Sequence, residues 1–100
     1  MASPRIALPE PAVADFCRRN HVRRLSLFGS VLREDFGEDS DVDVLVEFEP
    51  GHAPGFAFFG MELELEQILG RKVDLNTPRT LSRHFRERVE AEAEPVYVAG

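Results

Sequence analysis

The sequence predicts a single domain of the α+β class, that is, a mixed α/β fold in which helices and strands follow one another along the chain. Its 100 residues are the length of one domain, and 43% hydrophobic with 30% charged residues is typical of a globular protein. Several short segments alternate apolar and polar residues with the strand period of two, and others carry apolar residues at helical spacing. We therefore expect one folded unit over residues 1–100, with residues 1–8 disordered.

Composition narrows both the compartment and the class of partner. The net charge of −6 lacks the basic excess of a general nucleic-acid binder, so direct nucleic-acid binding is not expected. No segment approaches the roughly 20 apolar residues of a membrane span, and the N-terminus lacks the apolar core of a signal peptide. Cys17 is the single cysteine, which excludes an intrachain disulfide and fits a reducing compartment. We expect a cytoplasmic protein without membrane contact.

The first third of the chain predicts a helix, a strand and a short second helix. Prolines suit the first turn of a helix that runs to about Asn20, and its apolar residues recur at helical spacing: Val13, Phe16 and Cys17. The apolar segment Val22–Phe28 predicts a strand, which Gly29 ends. Ser30 is suited to cap a short helix through about Phe36.

The segment Asp41–Phe48 predicts a second strand that returns antiparallel to the first. The link between them holds one or two helical turns, which favours an antiparallel return over a parallel crossover. The strand period places two sets of side chains on opposite faces: Val42, Val44, Val46 and Phe48 on one, and Asp41, Asp43, Leu45 and Glu47 on the other. This return would place Gly29 and Ser30 beside Asp41 and Asp43.

The remaining chain predicts a helix, a third strand and a last helix. The first of these helices runs from Phe56 or Phe58 to Leu69, with Gly70 ending it and its glutamates facing water: Glu62, Glu64 and Glu66. A last helix is predicted to start at Thr77-Pro78, with an apolar stripe of Leu81, Phe85 and Val89. The segment Val96–Val98 fits either an edge strand or a tail packed on the body.

The third strand, Arg71–Asn76, adds another aspartate on an informative face. Val73 and Leu75 would pack into the core, so Asp74 between them projects from the opposite face. Asp41 and Asp43 do the same in their own strand. Aspartate contributes nothing to strand stability, which indicates that these residues serve a purpose other than folding.

A divalent-metal site explains the three aspartates. Carboxylates brought together without a cation repel one another and raise one another's pKa values, whereas Mg²⁺ prefers such oxygen ligands and keeps substrate phosphates in its shell. The competing interpretation of an Asp-x-Asp pattern is a solvated acidic face. A calcium-binding EF-hand loop is excluded, because Val44 and Pro50 stand where it needs glycine and glutamate. Two Mg²⁺ ions would serve chemistry at the α-phosphorus of a nucleotide.

The chain contains Gly29-Ser30, then ten further residues, then Asp41-Val42-Asp43, and later Lys72–Leu75. This pattern resembles the minimal nucleotidyltransferases of the DNA polymerase beta superfamily. Segments 28–33, 40–48 and 69–75 are similar to the MNT antitoxins, which are encoded beside HEPN-type toxins. The resemblance implies a nucleotidyltransferase fold, with a small mixed β-sheet and helices packed mainly on one face.

The resemblance also implies roles for individual residues. Asp41, Asp43 and Asp74 would be metal ligands and catalytic carboxylates for two Mg²⁺ ions, with Asp74 as the general base. The triphosphate of ATP would be held by the Gly-Ser turn and by a neighbouring cation: Gly29, Ser30 and Arg33.

For function, the resemblance implies transfer of AMP from ATP to a tyrosine of a cognate HEPN-type ribonuclease toxin. The alternative is a non-catalytic antitoxin that neutralises the toxin by forming a complex. In that case the acidic body or the arginine cluster between Arg18 and Arg24 would bind the toxin.

Overall fold

A computed structural model describes residues 6, 8–33, 36–37, 39–52 and 54–99. Within these residues the α-helices are α1 (Glu10–Arg19), α2 (Ala57–Leu69) and α3 (Arg83–Glu92), and the strands are β1 (Val22–Phe28), β2 (Val42–Phe48), β3 (Val73–Asn76) and β4 (Glu94–Val98). The disorder expected for residues 1–8 falls mostly outside this range, but Ile6 and Leu8 pack against the core.

The four strands form one mixed sheet in the order β3-β2-β1-β4. β1 is antiparallel to both β2 and β4, which confirms the predicted antiparallel return. β3 runs parallel to β2 on the other side. The C-terminal segment, for which two interpretations were open, is an edge strand.

The main hydrophobic core lies between the sheet and the helices α1 and α2. Phe16 of α1, Leu65 of α2 and Val44 of β2 are all fully buried there. A smaller cluster on the opposite face joins α3 to the sheet through Phe28, Leu45, Leu81 and Val89. Two of the three helices therefore share one face, which agrees with the predicted fold class.

Cys17 is buried in the main core, as its position in an apolar helical stripe suggests. Burial raises the pKa of its thiol to about 12, so it does not supply a reactive thiolate near neutral pH. No helix in the described part of the chain has both the length and the hydropathy to cross a bilayer.

The short helix predicted from Ser30 to about Phe36 is wrong in extent, and Ser30 does not cap it. A 3-10 helix covers only Gly29–Leu32. Its N-cap position is occupied by Phe28, so Ser30 lies within the helix. Val31 within this turn is fully buried, and the backbone is already extended at Arg33. Residues 34 and 35, which the prediction also covered, lie outside the described residues.

The last helix begins later than predicted. Thr77 and Pro78 open a 3-10 turn over Pro78–Thr80 instead, in which the Thr77 amide donates to the hydroxyl of Thr80 at 3.0 Å. The backbone is extended at Leu81, so α3 starts only at Arg83. Thr77-Pro78 therefore begins this separate 3-10 turn, which has its own capping contact, and not the α-helix that a Thr-Pro pair often begins.

Two of the three α2 glutamates do not face water as predicted. The carboxylate of Glu66 accepts the Val73 amide at 3.1 Å, and that of Glu62 accepts the Leu75 amide at 2.9 Å. β3 is an edge strand, so these carboxylates occupy backbone donors that would otherwise be free to pair with another chain. They also fix α2 to the strand that carries Asp74.

Candidate functional site

Asp43 and Asp74 lie at directly paired positions of the parallel strands β2 and β3. The neighbouring pairs, Val42 with Val73 and Val44 with Leu75, are buried on the core side of the sheet. Since side chains alternate along both strands, the two carboxylates share the opposite face, which we call the aspartate face. Adjacent strands are about 4.8 Å apart, a separation that one cation can bridge.

Asp41 lies immediately before β2 and is exposed, rather than within the strand as predicted. The Val42 amide donates to the carbonyl of Lys72 at 2.8 Å, which ties this end of β2 to the start of β3. The charges of Asp41 and Asp74 both act on Asp43. The three predicted aspartates therefore lie in one region of the sheet, although their carboxylate oxygens do not all come within 4.8 Å of one another.

The surroundings of Asp43 disfavour the charged form of its carboxylate. Its pKa is raised to about 6, first by burial and then by repulsion from Asp74 and Asp41, and the guanidinium of Arg33 opposes these effects. Asp43 is half-buried, whereas Asp41 and Asp74 are exposed. Carboxylate oxygens that share one side of the sheet are the donors that a hard divalent cation such as Mg²⁺ prefers.

Gly29 approaches the Asp43 carboxylate so closely that a side chain would not fit. Its φ of +75° lies in the left-handed region, and a β-carbon built there would lie 3.2 Å from Asp43 Cγ and still closer to a carboxylate oxygen. Phe28, the preceding residue, is the register partner of Asp43. The Gly29-Ser30 turn therefore lies beside the cluster, as the antiparallel return predicts.

Arg33 is exposed at the end of the 3-10 helix and contributes positive charge near Asp43. Its guanidinium also lies 3.8 Å from the carboxylate of Glu92 at the end of α3. An exposed pair of this length contributes little to stability and leaves the arginine able to move to another anion. Arg33 is thus placed at the border of the cluster, between it and α3.

Arg71 is a residue of this region that sequence reasoning did not assign. Its guanidinium donates to the carbonyls of Gly37 and Ser40 and lies 4.3 Å from the centre of the Phe36 ring. These contacts hold the turn that leads into Asp41. The partners are more than 30 residues away in the chain, so no local pattern indicates these contacts. The sequence shows only that a cationic residue directly follows Gly70, which ends the helix.

The arginine cluster between Arg18 and Arg24 is largely satisfied within the chain. Arg19 contacts Asp15 at 2.8 Å and Glu64 at 2.5 Å, and Arg23 contacts Glu47 at 3.2 Å. Arg24 lies 3.7 Å from the same glutamate. These intramolecular pairs account for most of the cluster without an external anion.

Carboxylates on adjacent strands of a small mixed sheet, beside a Gly-Ser turn, define the class of nucleotide-transferring proteins that the motif spacing predicted. The family model described as nucleotidyltransferase domain matches residues 11–97. The chain belongs to the nucleotidyltransferase domain family and is a nucleotidyltransferase.

The most informative relatives are archaeal. A Methanocaldococcus jannaschii protein assigned as a protein adenylyltransferase is 37% identical over 78 residues, which cover 77% of each chain. The protein adenylyltransferase MntA of Thermococcus cleftensis is 41% identical over 78 residues, covering 77% of this chain and 75% of the relative. The predicted resemblance is confirmed at the level of sequence.

Solved structures confirm the fold. A chain assigned as a minimal nucleotidyltransferase superposes with a TM-score of 0.72 at 41% identity, covering 86% of this chain and 87% of that one. A toxin–antitoxin complex with AMP-PNP contains a chain with a TM-score of 0.74 at 22% identity, covering 92% of this chain and 75% of that one. At this lower identity the likeness shows the fold alone.

Proposed function

We propose that this protein is an antitoxin-type protein adenylyltransferase that transfers AMP from ATP to a tyrosine of a HEPN-type toxin. The observation that carries the proposal is the pairing of Asp43 with Asp74 on one face, with Gly29 packed against Asp43. The names of the relatives, which are protein adenylyltransferases, supply the acceptor class.

Asp41, Asp43 and Asp74 would hold the divalent metal, which we expect to be two Mg²⁺ ions. When bound, the metal would neutralise the triphosphate and lower the pKa of the attacking hydroxyl. The raised pKa of Asp43 supports this assignment, because a cation relieves the repulsion that causes it.

The Gly-Ser turn and Arg33 would bind the triphosphate. The missing side chain at Gly29 makes room for the Asp43 carboxylate beside the turn, and the Ser30 hydroxyl and amide would offer donors to a phosphate. Arg33 would exchange its 3.8 Å contact with Glu92 for a contact with a phosphate oxygen. This side of the site would therefore bind and orient ATP.

Asp74 would act on the acceptor. The tyrosine oxygen attacks the α-phosphorus, the new oxygen–phosphorus bond forms, and the bond from the α-phosphorus to the oxygen bridging it to the β-phosphate breaks, so that pyrophosphate leaves. The proton of the tyrosine passes to the carboxylate of Asp74. Asp74 suits this role better than Asp43, since it is exposed to an incoming protein and Asp43 is half-buried.

An exposed apolar stripe on α2 supports a protein partner. Phe59 and Leu63 are 71% and 61% exposed, and Phe56, one turn before Phe59, is 94% exposed. Their spacing puts them on one side of the helix. Clustered large apolar side chains in water are typical of a protein–protein contact, and we assign this stripe to the toxin.

The experiment that tests the proposal is neutralisation of the toxin by the double variant Asp41→Asn with Asp43→Asn. We expect it to bind the toxin and fail to neutralise its ribonuclease activity, because transfer is lost while the surface of α2 is unchanged. Full neutralisation by this variant would contradict catalysis and favour the non-catalytic alternative. Neutralisation by the wild-type protein in the same assay is the reference.

A further inference from the structure

A second group of metal-ligating side chains lies at the other end of β2. His21 in the turn between α1 and β1, together with Glu49 and His52 after β2, offers one nitrogen or oxygen atom each, all within 4.8 Å of one another. The register pairs Val22 with Phe48, so these flanking turns meet at the same edge of the sheet. At about 3.3 Å per residue, Glu49 is roughly 20 Å along β2 from Asp43.

The backbone connects the three ligands to one another. The Glu49 amide donates to the carbonyl of His21 at 2.9 Å, and the His52 amide donates to the carbonyl of Glu49 at 3.1 Å. His21 has a φ of +56°, a conformation that a non-glycine residue adopts only where its surroundings hold it. The geometry of the group is therefore set by the fold and not only by side-chain torsions.

The two imidazole rings are stacked, with centroids 4.1 Å apart and an angle of 18° between their planes. Both rings are exposed, and the Glu49 carboxylate beside them is half-buried. Neutral imidazoles are the form in which histidine binds a metal.

We propose that His21, Glu49 and His52 form a binding site for a transition-metal dication of the zinc type. Two imidazole nitrogens and one carboxylate oxygen are a donor set that zinc uses, with water as a fourth ligand. At ligand bonds of about 2.0–2.1 Å the donors would lie about 3.3 Å apart, so the exposed rings rotate inward on binding. The bound ion clamps the turn before β1 to the loop before α2.

The two clusters differ in the metal that each prefers. The aspartate face offers only carboxylate oxygens, which suit Mg²⁺, whereas imidazole nitrogens favour zinc and its neighbours over Mg²⁺. Cys17 does not compete, since it is fully buried. Zinc bound to the histidine site is therefore expected to persist in excess Mg²⁺.

The test is calorimetric titration of the full chain with Zn²⁺ in millimolar Mg²⁺, paired with thermal unfolding at saturating Zn²⁺. We expect one Zn²⁺ per chain with micromolar or tighter affinity, and a rise in the unfolding midpoint. His52→Ala and His21→Asn should each weaken binding at least tenfold and abolish the rise; asparagine is chosen because it tolerates a positive φ. His84→Ala, which removes an exposed histidine of α3, is the matched control and should bind as the wild type does.

Three results would overturn the proposal. These are affinity weaker than micromolar, binding that survives both histidine substitutions, and a ratio of one Zn²⁺ to two chains, which would mean a site between copies. A variant that lacks metal binding because it is unfolded is recognised by its circular dichroism, and Glu49→Gln then provides an independent ligand substitution. None of these readouts depends on nucleotide transfer.

Discussion

Asp43 and Asp74 are register partners across the parallel β2–β3 pair, although they are 31 residues apart in the chain. Their flanking residues fix this register, because a slip of one position would turn Asp74 into the core and Val73 into water. The catalytic arrangement that we propose is thus specified by the same apolar pattern that builds the core.

Asp43→Asn is expected to abolish AMP transfer and to stabilise the metal-free protein. The pKa of Asp43 is about 6 in the folded state against an ordinary value of 3.8, so the folded state keeps a proton that the unfolded chain has lost between these values. Raising the pH through this window therefore lowers the free energy of unfolding, by up to about 3 kcal/mol and less after solvent screening.

Urea denaturation in EDTA at pH 4 and pH 7.5 measures this effect. Between pH 4 and pH 7.5, the free energy of unfolding should fall less, or rise more, in Asp43→Asn than in the wild type. Glu90→Gln on the exposed side of α3 is the control and should behave as the wild type does. Identical pH dependence in Asp43→Asn would show that Asp43 is not the strained group.

Gly29→Ala should cost far more activity than Gly51→Ala. Both glycines have a positive φ, +75° and +82°, so both substitutions carry a backbone penalty of about 1–2 kcal/mol. Only at Gly29 does the new β-carbon collide with Asp43; at Gly51 nothing lies within 4 Å. We expect a loss in kcat of about a hundredfold for Gly29→Ala and a small one for Gly51→Ala at a temperature where both are folded. Equal losses would mean that the close approach is irrelevant.

Arg71→Ala is expected to lower kcat through the position of Asp41. The substitution removes the contacts to Gly37, Ser40 and Phe36 that hold the turn before this aspartate. A misplaced ligand costs about 10–100-fold, and added Mg²⁺ should recover part of it by mass action. Activity titrated against Mg²⁺ gives the measurement, with exposed Arg88→Ala as control. An unchanged Mg²⁺ dependence would contradict a positioning role.

Phe59→Ser combined with Leu63→Ser should raise KM for the toxin without changing ATP binding. The two exposed apolar side chains belong to the surface that we assign to the toxin, and truncating apolar contacts of this size weakens association by about 10–100-fold. Steady-state transfer at varied toxin concentration separates KM from kcat. A normal KM would place the toxin on another surface.

The sequence predicted the elements that depend on period and spacing. β1 has the predicted bounds, β2 and α2 agree within one residue, and the parity argument placed Asp74 opposite Val73 and Leu75, as observed. The antiparallel return also put the Gly29-Ser30 turn beside Asp43. These features follow from local rules that tertiary contacts reinforce.

The features that the sequence did not predict depend on contacts between distant segments. Glu62 and Glu66 looked solvated on a helical wheel, yet they bind amides of β3, because the edge of the sheet lies beside them. The helix expected from Ser30 to about Phe36 is a single 3-10 turn over Gly29–Leu32. For the two glutamates, packing against a strand outside their own helix decided the outcome.

The most direct measurement of the central claim is transfer of AMP from ATP to the purified toxin, followed by intact mass and by radiolabel. With Mg²⁺ we expect wild-type protein to add adenylyl groups to the toxin. Asp74→Asn should bind ATP within a few-fold of normal and transfer about 10²–10⁴ times more slowly, since it lacks both the proton acceptor and one of the proposed metal ligands. Transfer at the wild-type rate by Asp74→Asn, or no transfer by wild-type protein to a folded, competent toxin, would contradict the account.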